Sequence, residues 1–379
     1  MIFDYETLKL IWWLFVGVLL IGFALMDGFD LGVGTLLPFV GKTDEERRVV
    51  INTIAPHWEG NQVWFVTAGG ALLAAWPLVY SSAFSGLYAA LLMVLFAFFM
   101  RPLGFDYRSK LPDTRWRNSW DWALFVGGTV PALIFGITFG NLFLGLPFYF
   151  DQDMRSFYEG GLFGLFHPFA LLAGVVSVSM LTMHGGVFLA LRTEDVVRER
   201  SLKLMTLAAR VFMGSFALAG VWLWLGIDGL KVVSMPDVGS VFTPLAKVVE
   251  VSEGGWLVNY MADSRLWAVP ATAFIGAFLA CRLASRAAGV AFIFSGLAVA
   301  SVIMTAGIAL FPFIMPSSLD PNSSLTLWDA VSSHRTLNLL FIVTVIFVPL
   351  IVIYTSWAFR IMRGKMTVAR IRENEHTLY

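Results

Sequence analysis

Cysteine is almost missing from this chain: Cys281 stands alone. A single thiol excludes a disulfide framework, a thiolate metal cluster and the paired-cysteine attachment of a c-type haem. Charge is scarce as well, at 14% of residues where a soluble domain carries roughly 25%. No basic patch interleaved with aromatics stands outside the loops, so no nucleic-acid partner is expected. There is no phosphate-cradling glycine loop, no dinucleotide fingerprint and no nucleophile elbow. The first residues, MIFDYETLKLIWW, lack a basic leader region, and no small-x-small cleavage site follows. The first apolar run therefore reads as a retained anchor rather than a signal peptide.

What fills the chain is apolar residues, 58% of the total, with a mean hydropathy of +0.75. The runs are long enough for membrane helices rather than barrel strands. The expected fold is an all-α integral membrane protein with about nine transmembrane helices. Spans are placed near 8–26, 57–75, 79–100, 121–143, 163–190, 204–225, 266–282, 289–311 and 336–357, with the first able to run on as helix through Gly34 to Val40. GVLLIGFALMDGFDLGVG in span one echoes GVVSVSMLTMHGGVFLAL in span five, matching Met26–Asp27–Gly28 with Met183–His184–Gly185. The echo suggests a pseudo-repeat of 1–143 and 163–311 within a single membrane domain over 1–379. That gives two four-helix bundles and a final peripheral helix at 336–357. Residues 226–264 form a long outer loop, and 360–379 a basic tail.

Lysine and arginine set the expected orientation. Of the 26, alternate connections on one side hold 19 and those on the other hold 6; Arg210 falls inside span six. The positive-inside rule then places the N-terminus outside and the C-terminus in the cytoplasm.

Polar residues interrupt the apolar pattern most sharply in Ile54–Trp64, IAPHWEGNQVW. Each such group in a bilayer is costly and needs a partner or a purpose. Glu59 lies about 11 residues past Arg48, roughly 16 Å along a helix and near mid-bilayer. Pro56 removes a backbone donor beside it, which kinks a helix. Asp27 and Asp30, three residues apart, share a helix face. Glu59, Asp27, Asp30 and His57 are thus candidates for a buried proton path from the inner side. A satisfied polar contact between helices or subunits fits the same residues. Trp58, Asn61, Gln62, Arg101 and Asp106 are candidates for a contact with a ligand or a second subunit. Arg101 and Asp106 are placed to pair with each other or with a partner. The stripe Gly28, Gly32, Gly34 permits close helix approach and is assigned to a subunit contact. A b-type haem needs axial ligands on facing helices. Only His57 and His184 lie mid-span; His167 and His334 border spans, and His376 is in the tail. No spacing signature supports a bis-His pair, and no metal site is expected in this chain.

Six segments in order, DGFDLGVG, APHWEGNQVW, GGALLAAWPLVYSSAFSGLY, RPLGFDYRSK, TAGIALFPFIMPSS and SLTLWDAVSS, closely resemble subunit II of the bacterial cytochrome bd quinol oxidases. They run from residue 27 to residue 333, nearly the whole chain. The resemblance implies an obligate complex with subunit I, which carries b-type haems and a d-type haem. That complex oxidises quinol, reduces dioxygen to water with cytoplasmic protons, and so generates a proton-motive force in the bacterial inner membrane. Subunit II in this family supports assembly, can hold a structural quinone, and in some members lines a proton path through the carboxylate at the position of Glu59. Some members have aspartate there. Small single-helix accessory subunits and membrane lipid are further expected partners. His184 is not part of the family pattern. From the residues alone, a proton-coupled secondary transporter is the alternative reading, since intramembrane carboxylates and a repeat suit it equally.

Overall fold

A computed structural model describes residues 3–373 and 379; His376 lies outside them. The helices are α1 (Tyr5–Val40), α2 (Asp44–Ile54), α3 (Trp58–Ala75), α4 (Pro77–Gly86), α5 (Tyr88–Tyr107), α6 (Thr114–Leu144), α7 (Pro168–Arg192), α8 (Asp195–Gly226), α9 (Val258–Ala262), α10 (Ala268–Leu283), α11 (Ala288–Leu310), α12 (His334–Ile361) and α13 (Val368–Glu373). Among the described residues, eight helices are long and apolar enough to cross a membrane: α1, α5, α6, α7, α8, α10, α11 and α12. Helix α3 runs end to end beside them, but its 18 residues include Glu59, Asn61 and Gln62 and fall short in hydropathy.

One boundary differs from the sequence reading. Span three was expected at 79–100; α4 is a separate helix that starts at Pro77, and the crossing is α5. Arg101, one residue past that expected end, is buried inside the bundle. The first helix continues unbroken to Val40, the run-on past Gly34 that the sequence allowed, a length of about 54 Å. Asp27 and Asp30 therefore sit in the protein interior rather than at an inner edge.

Helix α1 is the axis of the packing and touches α3, α6, α7, α11 and α12. Its second half is buried almost completely, from Asp27 to Pro38. The glycine stripe explains how. A Cβ on Gly32 would lie 2.0 Å from the Leu181 carbonyl oxygen, and one on Gly185 2.6 Å from the carbonyl carbon of Gly32. Gly34 meets Leu124 and Gly128 in the same way, and Gly28 meets Leu181. The stripe is used up inside the chain, where α1 crosses α7 and α6, so it does not form a subunit contact.

The two ends of the bundle differ. At one end α2 begins with a capping box: Thr43 accepts from the Glu46 amide while Glu46 reaches back to the Thr43 amide. Glu46 also takes a hydrogen bond from Arg200 at 2.7 Å, which ties α2 to α8. This is the basic end. At the other, loop-rich end lie three antiparallel hairpins: β1 (Phe148–Phe150) with β2 (Ser156–Tyr158), β3 (Gly229–Ser234) with β4 (Val248–Ser252), and β5 (Phe313–Met315) with β6 (Leu325–Thr326). The loop 226–264 is thus folded onto the bundle. The fully buried Lys9 ammonium donates to the carbonyls of Val238, Ser240 and Trp328, satisfying its three donors. Nearby, Lys247 pairs with Asp329 at 3.0 Å. Burial pulls the Lys247 ammonium below the usual lysine range, and Asp329 opposes that pull.

Helix α12 packs on α1 and α3 only along a narrow stripe and is otherwise exposed. This is the peripheral position expected for the last helix.

Candidate functional site

Interior polar groups gather where α1, α3 and α5 meet. Ala55, Pro56 and His57 break the path from α2 to α3. Proline cannot supply the amide that a continuous helix needs, and the ladder resumes with the Asn61 amide bonding the His57 carbonyl. The break turns Asn61 toward α1, where its side-chain amide donates to Asp30 at 2.8 Å. His57 Nδ1 lies 3.3 Å from the Asn61 amide nitrogen and 3.9 Å from Asp30 Oδ1.

Arg101, on α5, reaches the same spot. It holds Asp27 with two hydrogen bonds, at 2.7 and 3.0 Å, and lies 3.8 Å from Asp30. The Trp58 and Phe98 rings flank its guanidinium at 5.4 and 5.7 Å. The expected Arg101–Asp106 pairing is not found: Arg101 points inward to Asp27, while Asp106 is exposed. Nor do Arg101, Asn61 and Trp58 offer themselves to a second subunit, because all three are buried within this chain. Gln62 is half-buried beside them.

The two carboxylates differ in what remains free. Asp27 is committed to Arg101 through both oxygens. Among the described residues, Asp30 Oδ1 has no hydrogen-bond partner, and neither have His57 Nε2 and Asn61 Oδ1. A cavity of about 10 Å³ adjoins Asp30 and Arg101 and is otherwise lined by apolar side chains of α1, α2, α5 and α6. That is about the room one water needs. A bound water there would serve the open oxygen of Asp30.

Glu59 stands apart from this cluster. It is exposed, on the α3 face that also presents Val63, Val66, Gly70 and Leu73. These positions recur every three to four residues, so they form one stripe. Among the described residues Glu59 has no hydrogen bond or ion pair. Beside the stripe, a Cβ on Gly60, Gly69 or Gly70 would meet open space.

His184 is held by neighbours on both sides. His184 Nδ1 lies 2.8 Å from the Ser295 hydroxyl and Nε2 3.1 Å from the Leu25 carbonyl. Both nitrogens are engaged, so no lone pair is left for iron. Phe29 packs against both rings, 5.7 Å from His57 and 6.1 Å from His184. Among the described residues, no group of three or more His, Cys, Asp or Glu could hold a metal ion.

Sequence reading missed a second network at the basic end. Arg108, the other arginine of RPLGFDYRSK, is buried and bonds Asp121 at 2.6 Å and Asp44 at 2.9 Å. Arg47 joins Asp121 at 2.7 Å, and Arg117 joins Asp44. A positive loop had seemed enough to explain these charges. The available signal was Asp121 itself, a lone acid opening an apolar run.

Comparison with known proteins agrees with this architecture. The family model for cytochrome bd terminal oxidase subunit II matches residues 8–362. The chain is 52% identical to cytochrome bd-I ubiquinol oxidase subunit 2 of Escherichia coli (strain K12), over 99% of this chain and 100% of that one. It is 48% identical to the probable cytochrome oxidase subunit 2 of Haemophilus influenzae, with the same coverage. It is 29% identical to cytochrome bd ubiquinol oxidase subunit 2 of Bacillus subtilis, over 94% of this chain and 96% of that one. The solved bd oxidase from Geobacillus thermodenitrificans contains a chain of the same fold, with a TM-score of 0.69 at 16% identity, covering 94% and 98%. This multi-pass membrane protein belongs to the cytochrome bd terminal oxidase subunit II family.

Proposed function

We propose that this chain is the subunit of a quinol:dioxygen oxidoreductase that supports a haem-bearing subunit I and delivers protons to it through Glu59. The relatives' names, ubiquinol oxidase subunit 2, support the reaction class. The observation that carries the reading is the placement of Glu59. Glu59 is exposed in the first turn of α3, and an unpaired carboxylate facing lipid is costly. Covering the Glu59, Val63, Val66, Gly70, Leu73 face with a second subunit would remove that cost and put the carboxylate at the contact. Small residues on the face favour close approach of another helix. The haems then belong to the partner, in keeping with the engaged nitrogens of His184.

In this reading the basic end faces the cytoplasm. Dioxygen reduction consumes protons, and a buried site needs a polar route to receive them. Asp30, with its open oxygen, the adjoining water-sized cavity and His57 would lead protons toward Glu59. Asp27 would hold Arg101 in place rather than relay, since both its oxygens are bound. Glu59→Gln keeps the shape of the side chain and removes its titration. In the purified complex, yield and haem content should survive while quinol-driven oxygen uptake falls severalfold. Full activity would end the relay; loss of haem together with activity would make Glu59 a structural contact instead.

A further inference from the structure

Arg210 has no role in the site described above. It lies fifteen residues into α8, about 22 Å from the helix start and seven residues past Lys203, and the rest of α8 after it carries no charge. Its neighbours Ala208, Ala209 and Phe212 are buried, but Arg210 itself is exposed. It has no hydrogen bond or ion pair among the described residues. An arginine facing hydrocarbon lowers its cost by extending its head toward the membrane surface.

The geometry of α8 directs that extension. Side chains on a helix tilt toward its N-terminus, and α8 starts at the basic end. Arg210 therefore leans back over Leu207, Thr206 and Lys203. These residues, with Leu202 and Glu199, line an open groove of about 450 Å³. Thr206 spends its hydroxyl proton on the Leu202 carbonyl. Lys203 is bound to Glu199 at 2.6 Å. The groove thus carries one cation beyond balance, at Arg210, with Lys203 two helical turns before it on the same wall and Leu202 and Leu207 as apolar lining. That combination suits a phosphodiester whose acyl chains run along the helix: a guanidinium grips phosphate oxygens in a two-pronged fashion. A headgroup without its own ammonium is favoured, because a second cation would meet Arg210 and Lys203. Helix α8 packs chiefly on α7, with lesser contact to α10 and α1, whereas α3 packs on α1, α4 and α12, so the groove lies away from the Glu59 face.

We propose that the α8 groove binds an anionic membrane phospholipid, its phosphate held by Arg210 and assisted by Lys203. The test uses the purified complex, exchanged into mild detergent with added phosphatidylglycerol or phosphatidylcholine and examined by native mass spectrometry. The wild type should retain phosphatidylglycerol severalfold more than phosphatidylcholine. Arg210→Leu should lose that preference, and Lys203→Ala, at an exposed position, should weaken it. Glu199→Gln frees Lys203 and should strengthen it. Equal retention of phosphatidylglycerol by wild type and Arg210→Leu, equal retention of both lipids by the wild type, or no response to the Lys203 and Glu199 changes would overturn the site. Failure of Arg210→Leu to assemble, with Lys203→Ala assembling and retaining phosphatidylglycerol as the wild type does, would assign Arg210 to a protein contact and overturn it as well.

Discussion

Arg101 shows how much a single buried charge can organise. It neutralises Asp27, approaches Asp30 and packs on Trp58. Removing one member of a buried ion pair leaves the other uncompensated in a low-dielectric interior, at about 3–5 kcal/mol. Arg101→Met is therefore expected to destabilise the chain by about that amount, through two stranded carboxylates. Arg101→Lys keeps the charge but loses the two-pronged grip on Asp27 and should fall between. The thermal unfolding midpoint of the purified complex measures both; an unchanged midpoint in Arg101→Met would show that the pair contributes nothing net. The residues themselves were visible beforehand, but Asp27 and Arg101 are 74 positions apart, and no local pattern links them.

At the scale of the element, α2 is a short polar helix that depends on its first turn. Glu46 lies outside the eight membrane crossings. Partial burial alone would push its carboxyl up, but the amides of Lys42 and Thr43 and the Arg200 guanidinium outweigh this and hold it below the usual glutamate range. A depressed folded-state pKa stabilises the protein above the unfolded value of 4.5, and that stability is lost as pH falls through the folded value. Acidification below about 4.5 should therefore loosen the α2 start and its tie to α8. A melting series across pH compares wild type with Glu46→Gln: the variant should show a shallower acid decline, and parallel curves would refute the linkage. The S/T-x-x-E pattern of this cap, Thr43 to Glu46, is written in the sequence. The break before α3 was also legible, from Pro56, though not the direction in which it turns Asn61.

Across the whole molecule, packing is set by glycine. Gly32 against Gly185 lets α1 and α7 touch backbone to backbone, and Gly34 against Gly128 does the same for α1 and α6. These contacts join the earlier helices to the later ones, so they belong to folding of this chain rather than to assembly. Gly32→Leu is expected to abolish folded chain even when it is expressed without a partner, because the Leu181 carbonyl is backbone and cannot step aside. Trypsin resistance of the separately expressed chain would report it. A folded, resistant variant that merely failed to join subunit I would return the stripe to the subunit contact.

Sequence by itself determined that this is a membrane protein of many helices, roughly where those helices run, and that Asp27, Asp30, His57 and Glu59 need an explanation. Length, hydropathy and helix spacing are local properties, so they survive without coordinates. Which face each helix buries was decided only by tertiary structure. In a soluble helix the polar side announces the surface. In lipid the outer surface is as apolar as the core, and that signal vanishes. Hence Arg101 and Asn61 turned out to be interior, Gly32 to be a helix crossing within the chain, and Glu59 to point outward. The span three boundary failed for a related reason: a charge that signals a membrane edge when it meets water signals nothing of the kind when Asp27 pairs with it inside the bundle.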